Sequence, residues 1–225
     1  MASHIARRLI ILGAPGSGKG TIASRIVKTY GMPHIVVGDL LRQHIQRKSE
    51  ESKTIKDHID KGLLLPDDLV LKFVAGELKK LRDKGFLLDG YPRTLNQAKL
   101  LHKEMTIDHV VALNVPADEI VNRLKDRWVH ASSGRVYNLL WNPPKVAGKD
   151  DTTGEPLTQR DDDKPEVIRS RLDTYDKNTN PIADFYRQQH ILQEFHGRES
   201  DKIWPEVKKY LDRVLNEPIT RKQGA

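Results

Sequence analysis

The chain has no cysteine. That excludes disulfide frameworks, thiolate metal sites and cysteine nucleophiles, and it suits a reducing intracellular compartment. Aromatic residues make up only 6% of the chain and do not interleave with basic ones. The stacking platform that single-stranded nucleic acid needs is therefore missing, which argues against a nucleic-acid-binding ATPase. No apolar run approaches the roughly eighteen residues needed to cross a bilayer. Blocks of like charge are also absent. The 38 basic and 31 acidic side chains leave a net +7, scattered along the chain. Such a field fits a phosphate-rich small substrate better than a nucleic-acid surface. A length of 225 residues allows one large or two small domains with a sizeable core. Met1 to Arg8 holds two arginines and no acid. It is too short for a transit or signal peptide ahead of a strand expected near Arg8.

What the chain does have is a glycine-dense loop between a strand and a helix. Leu9-Ile10-Ile11-Leu12 is long enough for one buried strand, and Gly13-Ala14-Pro15-Gly16-Ser17-Gly18-Lys19-Gly20-Thr21 follows it. A loop of this kind turns backbone N–H groups inward, and the positive end of the next helix adds to them, making a cradle for phosphates. Gly13 to Gly18 with Lys19 has the phosphate-loop spacing, in which the lysine reaches the outer phosphates of a nucleotide. Gly20 stands where the general pattern has Ser or Thr, and the hydroxyl comes one residue later at Thr21.

Strand and helix patterns then alternate. Helical stretches are expected at Thr21–Tyr30, from Gly38 in two pieces to about Lys61, at Asp67–Arg82, Thr94–Glu104 and Ala117–Arg127. Strands are expected at His34–Val37, Gly85–Gly90, His109–Val115 and Ile191–Phe195. Leu69, Phe73, Leu78 and Leu81 form the expected apolar face of the Asp67–Arg82 helix. Trp128 to Asp163 breaks the pattern with glycines, prolines and short alternating pieces, and reads as a small β-rich insertion. A helix from Pro165 to about Gln189, bent or broken at Pro181, and another at Ile203–Leu215 complete the chain, with a frayed tail after Pro218. The whole predicts an α/β fold: a P-loop NTPase-type parallel sheet wrapped by helices, with ligands at the carboxyl ends of the strands.

Several further motifs sit in this frame: Gly38-Asp39-Leu40-Leu41-Arg42, Leu88-Asp89-Gly90-Tyr91-Pro92-Arg93-Thr94, Arg123 with Arg127, Ser133-Gly134-Arg135-Val136-Tyr137, Asn142-Pro143-Pro144, Asp150-Asp151-Thr152-Thr153-Gly154-Glu155, and Arg160 through Arg171. With the phosphate loop they make the chain resemble the adenylate kinases of the long-lid type over nearly its whole length. The resemblance also accounts for Gly20. It implies a core of residues 1–35, 66–125 and 164–225, a helical monophosphate-binding segment at 36–65 and a lid at 126–163. Both of those segments are expected to move. Gly154-Glu155-Pro156-Leu157, Asp162-Asp163-Lys164-Pro165-Glu166 and Phe195 through Pro205 bring the chain nearer to the mitochondrial GTP:AMP phosphotransferases within that family.

By this resemblance the triphosphate is held by Gly16, Ser17, Gly18, Lys19, Gly20, Thr21, Arg123, Arg127, Val136, Tyr137 and Ser200, with Arg198 also near the donor base. AMP is held by Val37, Gly38, Arg42, Leu63, Leu65, Gly90, Arg93, Gln97, Arg160 and Arg171, Gln97 reading the adenine. Lys19, Arg93, Arg127, Arg160 and Arg171 serve catalysis, as phosphoryl transfer requires alignment, charge neutralisation and exclusion of water. Forked guanidinium groups suit phosphate better than lysine does. Asp89, at a strand end, can order the water shell of Mg²⁺. Val37 stands where relatives usually have a hydroxyl near the AMP base, so recognition there leans on Gln97 and the backbone.

His130, Ser133, Asp150 and Thr153 have the spacing of a four-ligand zinc clip. Hydroxyls bind zinc poorly and no thiolate is present, so a polar cluster holding the lid without zinc is expected. Asp162 and Asp163 are expected to anchor the lid hinge by pairing with arginines. The resemblance implies GTP, ITP or ATP as donor, AMP as acceptor, Mg²⁺ with the nucleotide, and no nucleic-acid or membrane partner. It also implies a monomer in the mitochondrial matrix, the cytoplasm being the alternative. An ATP:AMP kinase remains the rival within the enzyme class. A GTPase switch would need an Asn-Lys-x-Asp motif, which the sequence lacks.

Overall fold

The computed structural model describes residues 7–81 and 84–217. The readings of Met1–Ala6, of Arg82 as a helix end and of the tail after Pro218 fall outside them. Five strands form one parallel sheet: β1 (Arg8–Gly13), β2 (His34–Val36), β3 (Phe86–Asp89), β4 (His109–Asn114) and β7 (Leu192–His196), in the order β2-β3-β1-β4-β7. β1 and β3 read as continuous apolar runs because helices cover both faces of the sheet. Alternate residues then go to opposite layers. Ile10, Leu12, Leu88, Val110 and Ala112 pack in one cluster with Val74, Ala98 and Tyr186. Leu9, Ile11, Leu87, Val111 and Leu113 pack in the other with Ile22, Ile26, Val207 and Leu211.

The helices of these layers are α1 (Lys19–Tyr30), α4 (Asp67–Lys80), α5 (Leu95–Glu104), α6 (Ala117–Lys125), α7 (Pro165–Asn178), α8 (Asn180–Gln188) and α9 (Ser200–Asn216). Two insertions leave the core. α2 (Val37–Gln46) and α3 (Ser52–Asp60) follow β2, and a β-rich piece with the antiparallel pair β5 (Arg127–Val129) and β6 (Val136–Asn138) follows α6. A 3₁₀ turn at Asp161–Asp163 leads back to α7.

Three boundaries that place site residues differ from the sequence pattern. Val37 is the first residue of α2 rather than the end of β2. α6 stops at Lys125, so Arg127 sits on a strand. α9 starts at Ser200, three residues before the expected Ile203, and carries Pro205 inside it. A proline in the second turn removes one helical hydrogen bond without stopping the helix when the remaining face, Ile203, Val207 and Leu211, is buried. On α4 the buried stripe is Val70, Val74 and Leu78, while Leu69, Phe73 and Leu81 lie beside it, partly buried. Helical residues between Pro165 and Gln189 do break near Pro181, at Thr179.

Register decides where the chemistry gathers. Ile11 pairs with Asp89 and Val36 also pairs with Asp89, so the loops after β1, β2 and β3 leave the same edge of the sheet side by side.

Candidate active site

The loop after β1 works only with glycine at three points, one of them Gly16, where φ is +80° and a Cβ would lie 2.8 Å from Leu124. A Cβ on Gly13, whose φ is +155°, would meet Ser17 Oγ at 2.6 Å and the Leu113 carbonyl at 3.0 Å. A Cβ on Gly18, with φ +88°, would come within 2.5 Å of Ser200 Oγ. Gly18 caps α1 in the left-handed region, which points that helix's free N–H groups into the loop. Lys19, the first residue of α1, folds back and donates from Nζ to the carbonyls of Gly13 (2.6 Å) and Ala14 (2.8 Å). Desolvation lowers its pKa to about 8; Asp89 opposes that, and Arg93, Arg171 and Arg127 add to it. The same list of neighbours shows what the fold has brought together, since these five residues come from four separate segments.

Guanidinium groups crowd the mouth of this cradle. Arg127 grips Asp163 with both arms of its fork, Nε to Oδ2 at 2.7 Å and Nη2 to Oδ1. Arg171 pairs with Asp162 at 3.0 Å and Asp163 at 3.2 Å. Arg42 pairs with Asp39 at 2.9 Å and reaches Asp162 at 3.6 Å. Burial works to raise the Asp162 carboxyl, but Arg171, Arg42, Arg127 and Arg160 outweigh it and its pKa falls. The expected pairing of Asp162 and Asp163 with arginines is thus present. Arg160 differs: among the described residues its one ion pair is with Asp39, at 3.8 Å. Desolvation first, then Arg42 and Arg127, lower its pKa to about 10. Arg171 is lowered to about 10 for similar reasons. At neutral pH both stay cationic. Arg93 lies against Gly90, donating from Nε to its carbonyl at 2.8 Å, and surrounding protein strips water from it while solvent still reaches its side chain. Among these cations Lys19 and Arg93 have no carboxylate ion pair among the described residues and Arg160 has only Asp39 at 3.8 Å, so beside the paired arginines they form a site for a polyanion.

A second, apolar pocket opens beside it. Val37, Leu41, Leu63, Leu65, Val70 and Gln97 line it, with Gly90 and Arg93 at the edge shared with the first cleft. Val37 is 2% exposed and Leu63 50%. Gly38 packs against Arg42, as a Cβ there would sit 3.2 Å from Nη1. Gln97 is already bonded: Oε1 accepts the Arg93 N–H and Nε2 donates to Asp67, each at 2.7 Å. Asp67 was not singled out by the sequence; an acid in the first turn of a helix reads as a dipole partner and nothing more.

On the donor side Arg123 bonds Glu119 at 3.2 Å, and its Nη1 and Ser200 Oγ both approach Gly18. Arg198 pairs with Asp118 at 3.1 Å. Gly16 packs on Leu124 and Ile120 of α6, and exposed Gly20 and Thr21 begin α1. In the β-rich insertion Val136 is exposed, but Tyr137 is buried and its hydroxyl donates to Asp150 at 2.9 Å and accepts the Asp151 N–H. The Tyr137 side chain is therefore held within the insertion, and its backbone is part of the β5–β6 pair.

The zinc-clip positions do meet in one polar cluster. His130 Nδ1 and Ser133 Oγ are hydrogen-bonded at 2.7 Å, and Thr153 Oγ1 donates to Asp150 Oδ2 at 3.0 Å. Three members were missed: Glu155 bonded to His130 Nε2, Arg135 gripping both Asp150 oxygens at 2.7 and 2.6 Å, and Tyr137. The alternation in Arg135-Val136-Tyr137 could have put Arg135 and Tyr137 on one face of β6. Arg135 above all, against the opposing cost of burial, holds Asp150 well below the usual carboxylate range. A carboxyl depressed in the folded state stabilises above its ordinary pKa of 3.8 and loses that contribution as pH falls below it. Asp150→Asn is accordingly expected to speed hydrogen exchange at the Thr152 and Thr153 amides at pH 7, which it accepts in the native chain. Unchanged exchange there would show that the carboxylate does not hold the cluster.

The two insertions touch each other. A Cβ on Gly134 would lie 3.2 Å from Asp39 Oδ2, and Arg160 and Asp162 reach Asp39 and Arg42 across the cleft. At its base Ser170 Oγ donates to the Lys61 carbonyl at 2.9 Å, so the helical insertion rests on α7.

The adenylate kinase family model matches residues 11–191. The mitochondrial GTP:AMP phosphotransferase of Drosophila melanogaster is 44% identical over 209 residues, covering 93% of this chain and 97% of that protein. A match spanning sheet, cradle and both insertions, on a fold with this parallel sheet and phosphate loop, has one meaning: the chain belongs to the adenylate kinase family of phosphotransferases.

Proposed function

We propose that the chain reversibly transfers the terminal phosphoryl group of GTP to AMP, giving GDP and ADP, with ITP and ATP as further donors. The observation that carries this is the joining of a phosphate cradle to an apolar, Gln97-lined pocket through Gly90 and Arg93. Two nucleotides laid base-outward in these pockets would meet phosphate to phosphate among Lys19, Arg93, Arg127, Arg160 and Arg171. GTP as donor is supported by the name of the Drosophila relative.

The loop amides of Gly16 to Thr21 and the Lys19 ammonium bind the donor's phosphates. On phosphate arrival Lys19 exchanges its two carbonyl partners for charged oxygens, a stronger bond in a dry site. Arg42 and Arg93 hold the AMP phosphate in line, and Arg127, Arg160 and Arg171 spread the charge of the group in flight. Arg123, with Arg198 and Ser200 nearby, flanks the donor base, and the Val136–Tyr137 backbone covers it. Val37 and Leu65 pack the AMP base, which Gln97 reads. Residues 36–65 and 126–163 act as flaps on the core; their meeting at Asp39 excludes water that would otherwise accept the phosphoryl.

Asp89 fits Mg²⁺ through its water shell: it is a single carboxylate, 8% exposed, felt directly by Lys19. No group of three or more possible ligands that could hold a metal ion occurs among the described residues, so the ion would arrive with the nucleotide, as hydrated Mg²⁺ commonly does. When bound it neutralises phosphate charge. The lid needs no zinc, since Arg135 already covers the Asp150 oxygens; one zinc per purified chain would overturn this. We further propose a monomer of the mitochondrial matrix, without nucleic-acid or membrane partners, in keeping with the relative's mitochondrial name.

Initial rates with GTP, ITP and ATP at fixed AMP and Mg²⁺ test the reading. GTP is expected to give the highest kcat/KM. Faster turnover with ATP would make the chain an ATP:AMP kinase, and failure with every purine donor would reject the transfer altogether.

A further inference from the structure

Asp67 opens α4 with its carboxylate under three side-chain donors. Thr94 Oγ1 reaches its two oxygens at 3.1 and 3.0 Å, Asn96 Nδ2 donates to Oδ2 at 2.8 Å, and Gln97 Nε2 donates to Oδ1 at 2.7 Å. The other end of the same amide, Gln97 Oε1, accepts the Arg93 backbone N–H at 2.7 Å. Gln97 is 2% exposed, so water is not at hand to replace either partner. Turned over, the amide would set its oxygen against a carboxylate and its NH₂ against an N–H. Both contacts would become repulsive. A carboxylate can only accept and a backbone N–H can only donate, so Gln97 is held in one of its two orientations.

Each end of the gripped amide keeps one unused function, the second N–H of Nε2 and the second lone pair of Oε1. Gln97 lines the apolar pocket, and these are the groups it can offer there. Purine bases differ in the order in which they present such groups. A 6-aminopurine has an acceptor at N1 beside a donor at N6; a 6-oxopurine has a donor at N1 beside an acceptor at O6. A freely turning amide pairs with either, whereas a fixed one matches a single order.

We propose that Asp67 is a positioning residue that locks the Gln97 amide in the orientation matching a 6-aminopurine, so that the acceptor pocket rejects 6-oxopurine monophosphates. The inference rests on the reading of that pocket as the site of the AMP base. It goes further in assigning the selectivity to a residue that never touches the substrate.

The test compares AMP with IMP as acceptor, at saturating GTP and Mg²⁺, in the full chain and in three variants. Asp67→Asn and Asp67→Ser each place at position 67 a group that can donate or accept, so the Asp67 half of the lock is lost and only the Arg93 N–H still opposes the turned-over amide; two variants guard against one failing to fold. Each is expected to lower the ratio of kcat/KM for AMP to that for IMP about tenfold, within the range of discrimination a bidentate base contact provides. The change should fall on KM, rising for AMP and falling for IMP. A merely structural role for Asp67 would slow both acceptors alike. Gln97→Ala separates the two levels of the argument. If it lowers the ratio while both Asp67 variants leave it unchanged, the locking role is wrong and the base-reading role stands. If Gln97→Ala also leaves the ratio unchanged, the pocket assignment fails and the inference goes with it.

Discussion

Arg160→Ala is expected to lower kcat about a thousandfold while moving Tm by less than about 4 °C. The two halves of that expectation have one cause. Arg127 and Arg171 are held by hydrogen-bonded carboxylates, but Arg160 has only Asp39 at 3.8 Å among the described residues. Burial first, then Arg42 and Arg127, drives its pKa down to about 10 against the opposing pull of Asp162 and Asp39. Folding therefore gains little from it, and a migrating phosphoryl group gains much. Guanidinium fingers of this kind supply roughly 10³–10⁵ in rate. Single-turnover kinetics with GTP and AMP, alongside calorimetry, read both quantities. A rate loss below about tenfold would remove Arg160 from the catalytic set.

Arg127→Ala is expected to cost stability as well as rate. Its partner Asp163 is 7% exposed, and the bidentate grip is its principal compensation. Removing one member of a buried pair costs about 3–5 kcal/mol, because the charge left behind can neither reach water nor find a partner. Here Arg171 remains 3.2 Å from Asp163, so the low end, about 3 kcal/mol, applies. For a chain of this size that is a fall in Tm of about 6–12 °C. Adding Asp163→Asn should restore most of the stability and none of the rate, since the neutral amide no longer needs Arg127 but the phosphoryl group does. Urea denaturation of the single and double variants checks the first point and turnover the second. An Arg127→Ala protein as stable as the parent would mean that Asp163 does not depend on the pair.

How far the sequence carried the structure depended on whether the signal was local. The strand at Leu9–Leu12, the loop at Gly13–Lys19 and the helix after it were legible because each is fixed by its own residues: apolar run, glycines, helical stripe. Asp162 and Asp163 were expected as arginine partners from the family resemblance, whereas their local pattern beside Pro165 marks only the start of a helix. The beginning of α9 was not: the residues up to Asp201 read locally as a loop and the helix was expected from Ile203, whereas α9 starts at Ser200 and buries Ile203 and Val207. Nor was the polar cluster complete: Arg135 and Glu155 join His130 and Asp150 only when β6 and the 150–155 turn fold back on β5.

What the sequence determined by itself was the phosphate cradle and the alternating α/β frame, since backbone freedom at glycine and two-faced burial of apolar strands are properties of short segments. Only the tertiary structure decided which cation stands free and which is paired, and which way the Gln97 amide faces. Those depend on distances between residues far apart in the chain, set by the register that brings the ends of β1, β2 and β3 to one edge.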